Sequence, residues 1–303
     1  MGKNTKILAI LAGLILFCGY LLPETGPQEP VFQGKVLEKL SFSSALLNKE
    51  LHYSIYLPPD YDTSKRGYPV VYLLHGYSDD DTAWIQFGEV HLTINKGIAS
   101  REIPPMIIIM PDAGVSWYIN DHKGEYPYED MFFQEFIPFI DTAYRTRPEK
   151  EFRGISGLSM GGYGALGYAM RHPEFFSACA AFSSGLMTDD TLVSMEERNY
   201  NGLFSFLFGQ NLTGSARLTS HWKQTNPLDL AKNIDPKILK SIRWYIDCGD
   251  DDFLYKGNAA LHITLREREI PHEYRVRDGE HNWTYWRTWI SEGLNFIGSR
   301  FHR

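Results

Sequence analysis

Two hydrophobic rhythms alternate along this chain. Residues 36–42 and 51–57 alternate between apolar and polar positions broadly as half-buried strands do, and Pro58-Pro59-Asp60 closes the second run. Residues 70–74 and 106–110 are instead unbroken apolar runs, which predict strands covered on both faces. Further strand-like runs follow at 152–155, 178–182, 241–248 and 272–277. Between them the period lengthens. Phe132, Phe133, Phe136, Ile137 and Ile140 fall on one face of a helix over 129–144, and 84–99, 162–170, 258–269 and 283–301 also carry helical patterns. Strands alternating with helices predict an α/β fold with a mostly parallel sheet flanked by helices. Residues 186–234 break the rhythm, with Phe204, Phe206, Leu207, Phe208 and Trp222 set among polar positions. They predict an insertion between two sheet strands, serving either as a lid or substrate wall or as a helical excursion packed on the body.

The N-terminus has a different pattern. Lys3 and Lys6 precede an apolar run from Ile7 to Phe17, the layout of an export signal. Residues 1–22 are therefore expected to be a signal peptide or N-terminal anchor. Cys18 leaves lipidation open, although Phe17 stands where a small residue would precede a lipidated cysteine. Residues 23–34, with three prolines, form a linker, and a single domain spans 35–303. The expected location is periplasmic, cell-surface or secreted, with membrane contact only through the anchor.

Composition narrows this picture modestly. A formal charge of −7 supplies no basic footprint for nucleic acid. The three cysteines have no metal-ligand spacing, and Cys179 and Cys248 fall in strand-like runs as core residues.

Candidate chemistry centres on Gly157-Leu158-Ser159-Met160-Gly161, between the strand ending near 155 and the helix from 162. This is the context of a nucleophile elbow, in which a serine sits on a strained strand-to-helix turn and its flanking glycines let strand and helix approach. A serine hydroxyl needs a general base and an oriented acid. In this architecture the order is serine, acid, histidine. After Ser159 come Asp250-Asp251-Asp252, directly beyond the 241–248 strand, and beyond them four histidines. His262 falls within a helix and His302 at the chain end. His281 lies in the loop between the last strand and the last helix, which favours it as the base over His272, the alternative. Spacing does not choose among the three aspartates. The oxyanion of a tetrahedral intermediate needs N–H donors. Met160 N–H at the helix start and Tyr77 N–H, after His75-Gly76, are the candidates, with His75 structural.

Leu73-Leu74-His75-Gly76, Ile103-Pro104-Pro105-Met106 leading into Met110-Pro111-Asp112, Gly157-Leu158-Ser159-Met160-Gly161-Gly162, and Cys248-Gly249-Asp250-Asp251-Asp252-Phe253-Leu254-Tyr255 resemble the esterase D-like family of α/β-hydrolases. That family includes feruloyl, acetyl xylan and tributyrin esterases, S-formylglutathione hydrolase and the mycolyltransferases. The resemblance runs from about residue 42 to the C-terminus. It implies an α/β-hydrolase fold and ester hydrolysis through an acyl-serine. It also implies that Asp252, immediately before Phe253-Leu254-Tyr255, is the acid. Asp250 stands where many members carry threonine.

The resulting expectation is an exported serine esterase acting on feruloyl, acetyl or other short acyl esters of carbohydrate. Trp117, Trp222 and Trp283 are the candidate substrate-binding residues, and Tyr118 and Trp286 are nearby aromatics. An acyltransferase passing the acyl group to a sugar hydroxyl, and a catalytically silent carbohydrate-binding homologue, are the alternatives. The triad requires no cofactor or metal.

Overall fold

The computed structural model describes residues 33–301. The export signal and Cys18, and the linker up to residue 32, lie outside the described residues. Eight strands form one sheet: β1 (Lys35–Ser44), β2 (Lys49–Leu57), β3 (Val70–Leu74), β4 (Ile107–Pro111), β5 (Arg153–Leu158), β6 (Ala178–Phe182), β7 (Arg243–Gly249) and β8 (His272–Arg277). Their spatial order is β1-β2-β4-β3-β5-β6-β7-β8. β1 and β2 join antiparallel, as does β2 with β4, whereas every pairing from β4 through β8 is parallel.

Strand periodicity divides the interior into two cores. Tyr72, Leu74, Ile155, Cys179 and Ile246 point to one face, and Val71, Leu73, Leu158, Ala180 and Tyr245 to the other. Four helices cover these faces: α1 (Val90–Ala99), α2 (Met160–Arg171), α3 (Tyr255–Glu267) and α4 (Trp283–Gly298). α2 and α3 lie on the first face, while α1 and α4 lie on the second. Cys179 and Cys248 are free and buried, as core residues should be, and burial pushes both thiols up. Among the described residues no helix is long and apolar enough to cross a membrane.

One predicted helix is interrupted. The 129–144 segment forms Tyr128–Met131, a π-helical turn at Phe132–Phe136, and Ile137–Ala143. Pro138 stands in the first turn of the last piece. It has no N–H to donate, and the ladder slips to the wider spacing just before it.

A buried charge cluster ties this segment to α2. Glu129 accepts from Arg171 Nε and Nη2, both at 2.8 Å, and lies 2.8 Å from His172 Nε2. Burial alone would push the Glu129 carboxyl up, but Arg171 and His172 outweigh it and hold the carboxyl below its ordinary value. The cluster therefore contributes stability in full above the unfolded carboxylate value and loses it as pH falls through the lowered folded value. Arg171→Ala strands the buried carboxylate and is expected to cost about 3–5 kcal/mol. Urea unfolding at pH 7 checks this, and a loss below about 1 kcal/mol would refute the buried-pair account.

The 186–234 segment packs as short helices at Asp189–Ser194, Glu197–Leu203, Ser205–Phe208, Ser220–Thr225 and Pro227–Asn233, joined by a 3₁₀ turn at Gly214–Arg217. Thr188, Thr219 and Asn226 cap three of these helices with their side-chain oxygens. Its aromatic residues bury Trp222 completely, against Phe204 at 5.8 Å and Phe208 at 5.1 Å.

Candidate active site

Parallel pairing brings the loops carrying Tyr77, Ser159, Met160, Asp252 and His281 to one edge of the sheet. Leu74 is in register with Gly157, Leu158 with Phe182, and Gly249 with Arg277, so the loops after β3, β5, β6, β7 and β8 all leave side by side. Ser159 occupies the turn between β5 and α2 with φ 52° and ψ −117°, a strained conformation for a residue with a side chain. The flanking glycines are required by close approach. A Cβ on Gly157 would lie 2.4 Å from Gly161 O, and one on Gly161 would lie 2.3 Å from Leu74 O. Backbone bonds fix the turn: Ser159 N–H donates to Phe182 O at 3.0 Å, and Ser159 O accepts from Gly185 N–H at 2.8 Å.

His281 Nε2 stands 3.0 Å from Ser159 Oγ, and its Nδ1 stands 2.8 Å from Asp252 Oδ2. The other Asp252 oxygen accepts from Leu254 N–H at 2.8 Å. Burial pushes the Asp252 carboxyl up. The hydrogen bond and charge of His281, together with Leu254 N–H and the Ser183 hydroxyl, outweigh burial and leave it below the ordinary carboxylate value. It is therefore anionic at neutral pH and suited to hold an imidazolium.

The other two aspartates have separate tasks. Asp250 Oδ1 accepts from Gly279 N–H at 3.0 Å, and Asp251 N–H donates to Gly279 O at 3.1 Å, so the acid loop holds the histidine loop through its backbone. The two backbones are so close that a Cβ on Gly249 would fall 2.1 Å from Gly279 O. Asp251 itself is exposed. His272, the alternative base, instead bonds His262 at 2.8 Å on the far flank of β8.

Neither Met160 N–H nor Tyr77 N–H has a hydrogen-bond partner among the described residues; Met160 directly follows Ser159, and Tyr77 lines the same cavity as Ser159. The Tyr77 loop is fixed from beneath by His75, which is buried. Its Nδ1 lies 2.8 Å from Gly76 O, and its Nε2 accepts from Ala113 N–H at 2.9 Å. That pairing requires the neutral tautomer with the proton on Nδ1, and leaves His75 a scaffold for the loop.

Ser159 and His281 open on a cavity of about 490 Å³. Trp117 and Trp283 line it; Trp222 does not, being sealed beneath the Phe204 and Phe208 rings. Tyr118 is also buried, with its hydroxyl bonded to His75 O at 3.1 Å. Trp286 lines the cavity and stands perpendicular to His281 at 4.9 Å. From the insertion, Met187 and Leu203 reach the cavity, and Tyr77 Oη donates to Gly202 O at 2.9 Å, so this segment forms part of the cavity wall. Sequence inspection missed two polar lining residues, Asp79 and Asn282. Within the run Asp79-Asp80-Asp81 no sequence signal separates a residue facing the cavity from its neighbours.

The fold and the carboxyl-edge arrangement define an α/β-hydrolase. Residues 43–297 match the model of the family described as "Putative esterase", and the chain belongs to that family of carboxylic ester hydrolases. An acetyl esterase of Caldicellulosiruptor saccharolyticus is 27% identical over 277 residues, covering 86% of this chain and 97% of that protein. An esterase of Mycobacterium tuberculosis is 38% identical over 250 residues, covering 75% of this chain and 52% of that protein, about half its length. Among solved structures, a ferulic acid esterase is 32% identical with a TM-score of 0.77, covering 89% of this chain and all of that one.

Proposed function

We propose that the chain is an exported serine esterase that cleaves short acyl or feruloyl esters of carbohydrate through an acyl-enzyme on Ser159. The unbroken line from Asp252 through His281 to Ser159, with contacts of 2.8 and 3.0 Å, carries this reading. His281 Nε2 takes the Ser159 proton as Oγ attacks the ester carbonyl. The tetrahedral oxyanion is held by the N–H groups of Tyr77 and Met160, and Asp252 stabilises the imidazolium. Collapse breaks the bond to the alcohol oxygen, which leaves with the proton from His281. Water, deprotonated by His281, then adds to the acyl carbon, and a second collapse returns the proton to Ser159. Export rests on the sequence of residues 1–22.

The acyl preference is supported by the aromatic cavity wall and by the similarity to an acetyl esterase and a ferulic acid esterase. Turnover of p-nitrophenyl esters from acetate to octanoate, beside methyl ferulate, tests it. Highest kcat/KM on acetate or on methyl ferulate is expected. A preference rising steadily to octanoate would contradict the short-acyl and feruloyl assignment.

A further inference from the structure

The cavity straddles the two cores of the fold, and its two walls differ in chemistry. Tyr77, Trp117, Met187 and Leu203 belong to the core under α2 and α3 and make an apolar wall. Leu158, Trp283 and Trp286 belong to the core under α1 and α4. His281 stands against this second wall, with its ring perpendicular to Trp286. A general acid must face the oxygen that leaves, so the wall beside His281 flanks the alcohol half of the ester.

Three groups on that side suit a polyhydroxylated alcohol. Asp79 is half-buried at the cavity floor: a Cβ on Gly76 would sit 2.7 Å from Leu158 Cδ1, 3.1 Å from Asp79 Oδ2 and 3.7 Å from Ser159 Cβ. Its neighbours are engaged elsewhere. Asp80 accepts from the Thr82 hydroxyl at 2.6 Å and faces Lys39 at 3.8 Å, while Asp81 accepts from the Ser54 hydroxyl at 2.5 Å. Among the described residues no lysine or arginine pairs with Asp79. Burial pushes its carboxyl up, against a smaller opposing effect of the Gly76 N–H. Such a group gains by accepting hydrogen bonds from substrate hydroxyls. Asn282 caps α4 by accepting from Tyr285 N–H through Oδ1, which leaves its NH₂ group to donate. Trp283 is half-buried, and exposed Phe87 extends its apolar surface outward at 5.8 Å.

We propose that Asp79, Asn282 and the ring of Trp283 form a subsite for the sugar half of the ester, and that Asp79 sets the preference for sugar esters over esters of apolar alcohols. The orientation rests on the assignment of His281 as the group that protonates the leaving alcohol. Acceptors and donors beside an indole face match the alternating hydroxyls and C–H faces of a sugar ring. Removing a charged acceptor from a hydroxyl costs about 10- to 100-fold in discrimination.

The test has two arms. In the first, wild type, Asp79→Ala and the isosteric Asp79→Asn are assayed on mono-acetylated methyl β-xyloside and on p-nitrophenyl acetate. The expected result is a fall of at least about tenfold in the ratio of the two kcat/KM values for Asp79→Ala, and a smaller fall for Asp79→Asn. An unchanged ratio, including equal losses on both esters, overturns the proposal. In the second arm, mono-acetylated xylotriose is titrated calorimetrically into Ser159→Ala with and without Asp79→Ala. Affinity lowered about tenfold or more by the second substitution supports the subsite even if the hydrolytic reading fails. Absent binding, or affinity indifferent to Asp79, overturns the subsite while leaving the triad in place.

Discussion

Ser159→Ala is expected to lower kcat by about 10⁴- to 10⁶-fold on any ester the wild type turns over. The hydroxyl is the only group in the line that can form the acyl bond, and His281 has nothing to deprotonate without it. KM should change little, because the cavity walls stay in place. Folding should survive as well. The strained turn is held by Ser159 backbone bonds to Phe182 and Gly185, which an alanine retains. Rate measurements beside circular dichroism and urea unfolding check both halves. A folded variant that keeps more than about a hundredth of wild-type kcat would rule out Ser159 as the nucleophile.

The second large effect is at Asp252. Asp252→Asn should reduce kcat at neutral pH by about 10³- to 10⁴-fold with little change in stability. Hydrogen bonding explains the severity. Asp252 Oδ1 accepts from Leu254 N–H, so an asparagine there keeps its carbonyl on that donor and turns its NH₂ group toward His281 Nδ1. That imposes the tautomer with the proton on Nε2, which cannot accept the proton from Ser159. Asp250→Asn, by contrast, keeps an oxygen that can hold Gly279 N–H and should cost far less. Equal losses at the two positions would contradict the assignment of roles within the acid loop.

Much of this arrangement was legible in the sequence for physical reasons. Continuous apolar runs at 70–74 and 178–182 are strands of a parallel sheet because both faces are covered. The glycines at 157 and 161 signal the turn because backbone atoms leave no room for a Cβ. His281 emerges because it is a loop histidine between the last strand and the last helix. The acid was different. Three adjacent aspartates offer the same spacing, and in space the bonds of the Asp250 side chain and the Asp251 backbone to Gly279 separate them from Asp252. Trp222 shows another limit: proximity in sequence to a cavity-lining segment does not determine which face of a short helix turns inward, and here it is the indole face. Asp79 was hidden for a related reason. Its neighbours are claimed by Lys39 and Ser54, on strands β1 and β2 distant in sequence, so the residue left facing the cavity emerges only when the chain is folded.

A covalent intermediate on Ser159 can be trapped. The enzyme is incubated with an alkyl fluorophosphonate, which mimics the tetrahedral intermediate and cannot be released by water, and the adduct is located by tandem mass spectrometry. One adduct per chain on Ser159 is expected, absent in Ser159→Ala and strongly slowed in His281→Ala. Labelling at another residue, or no labelling of an enzyme that still hydrolyses esters, would contradict the account.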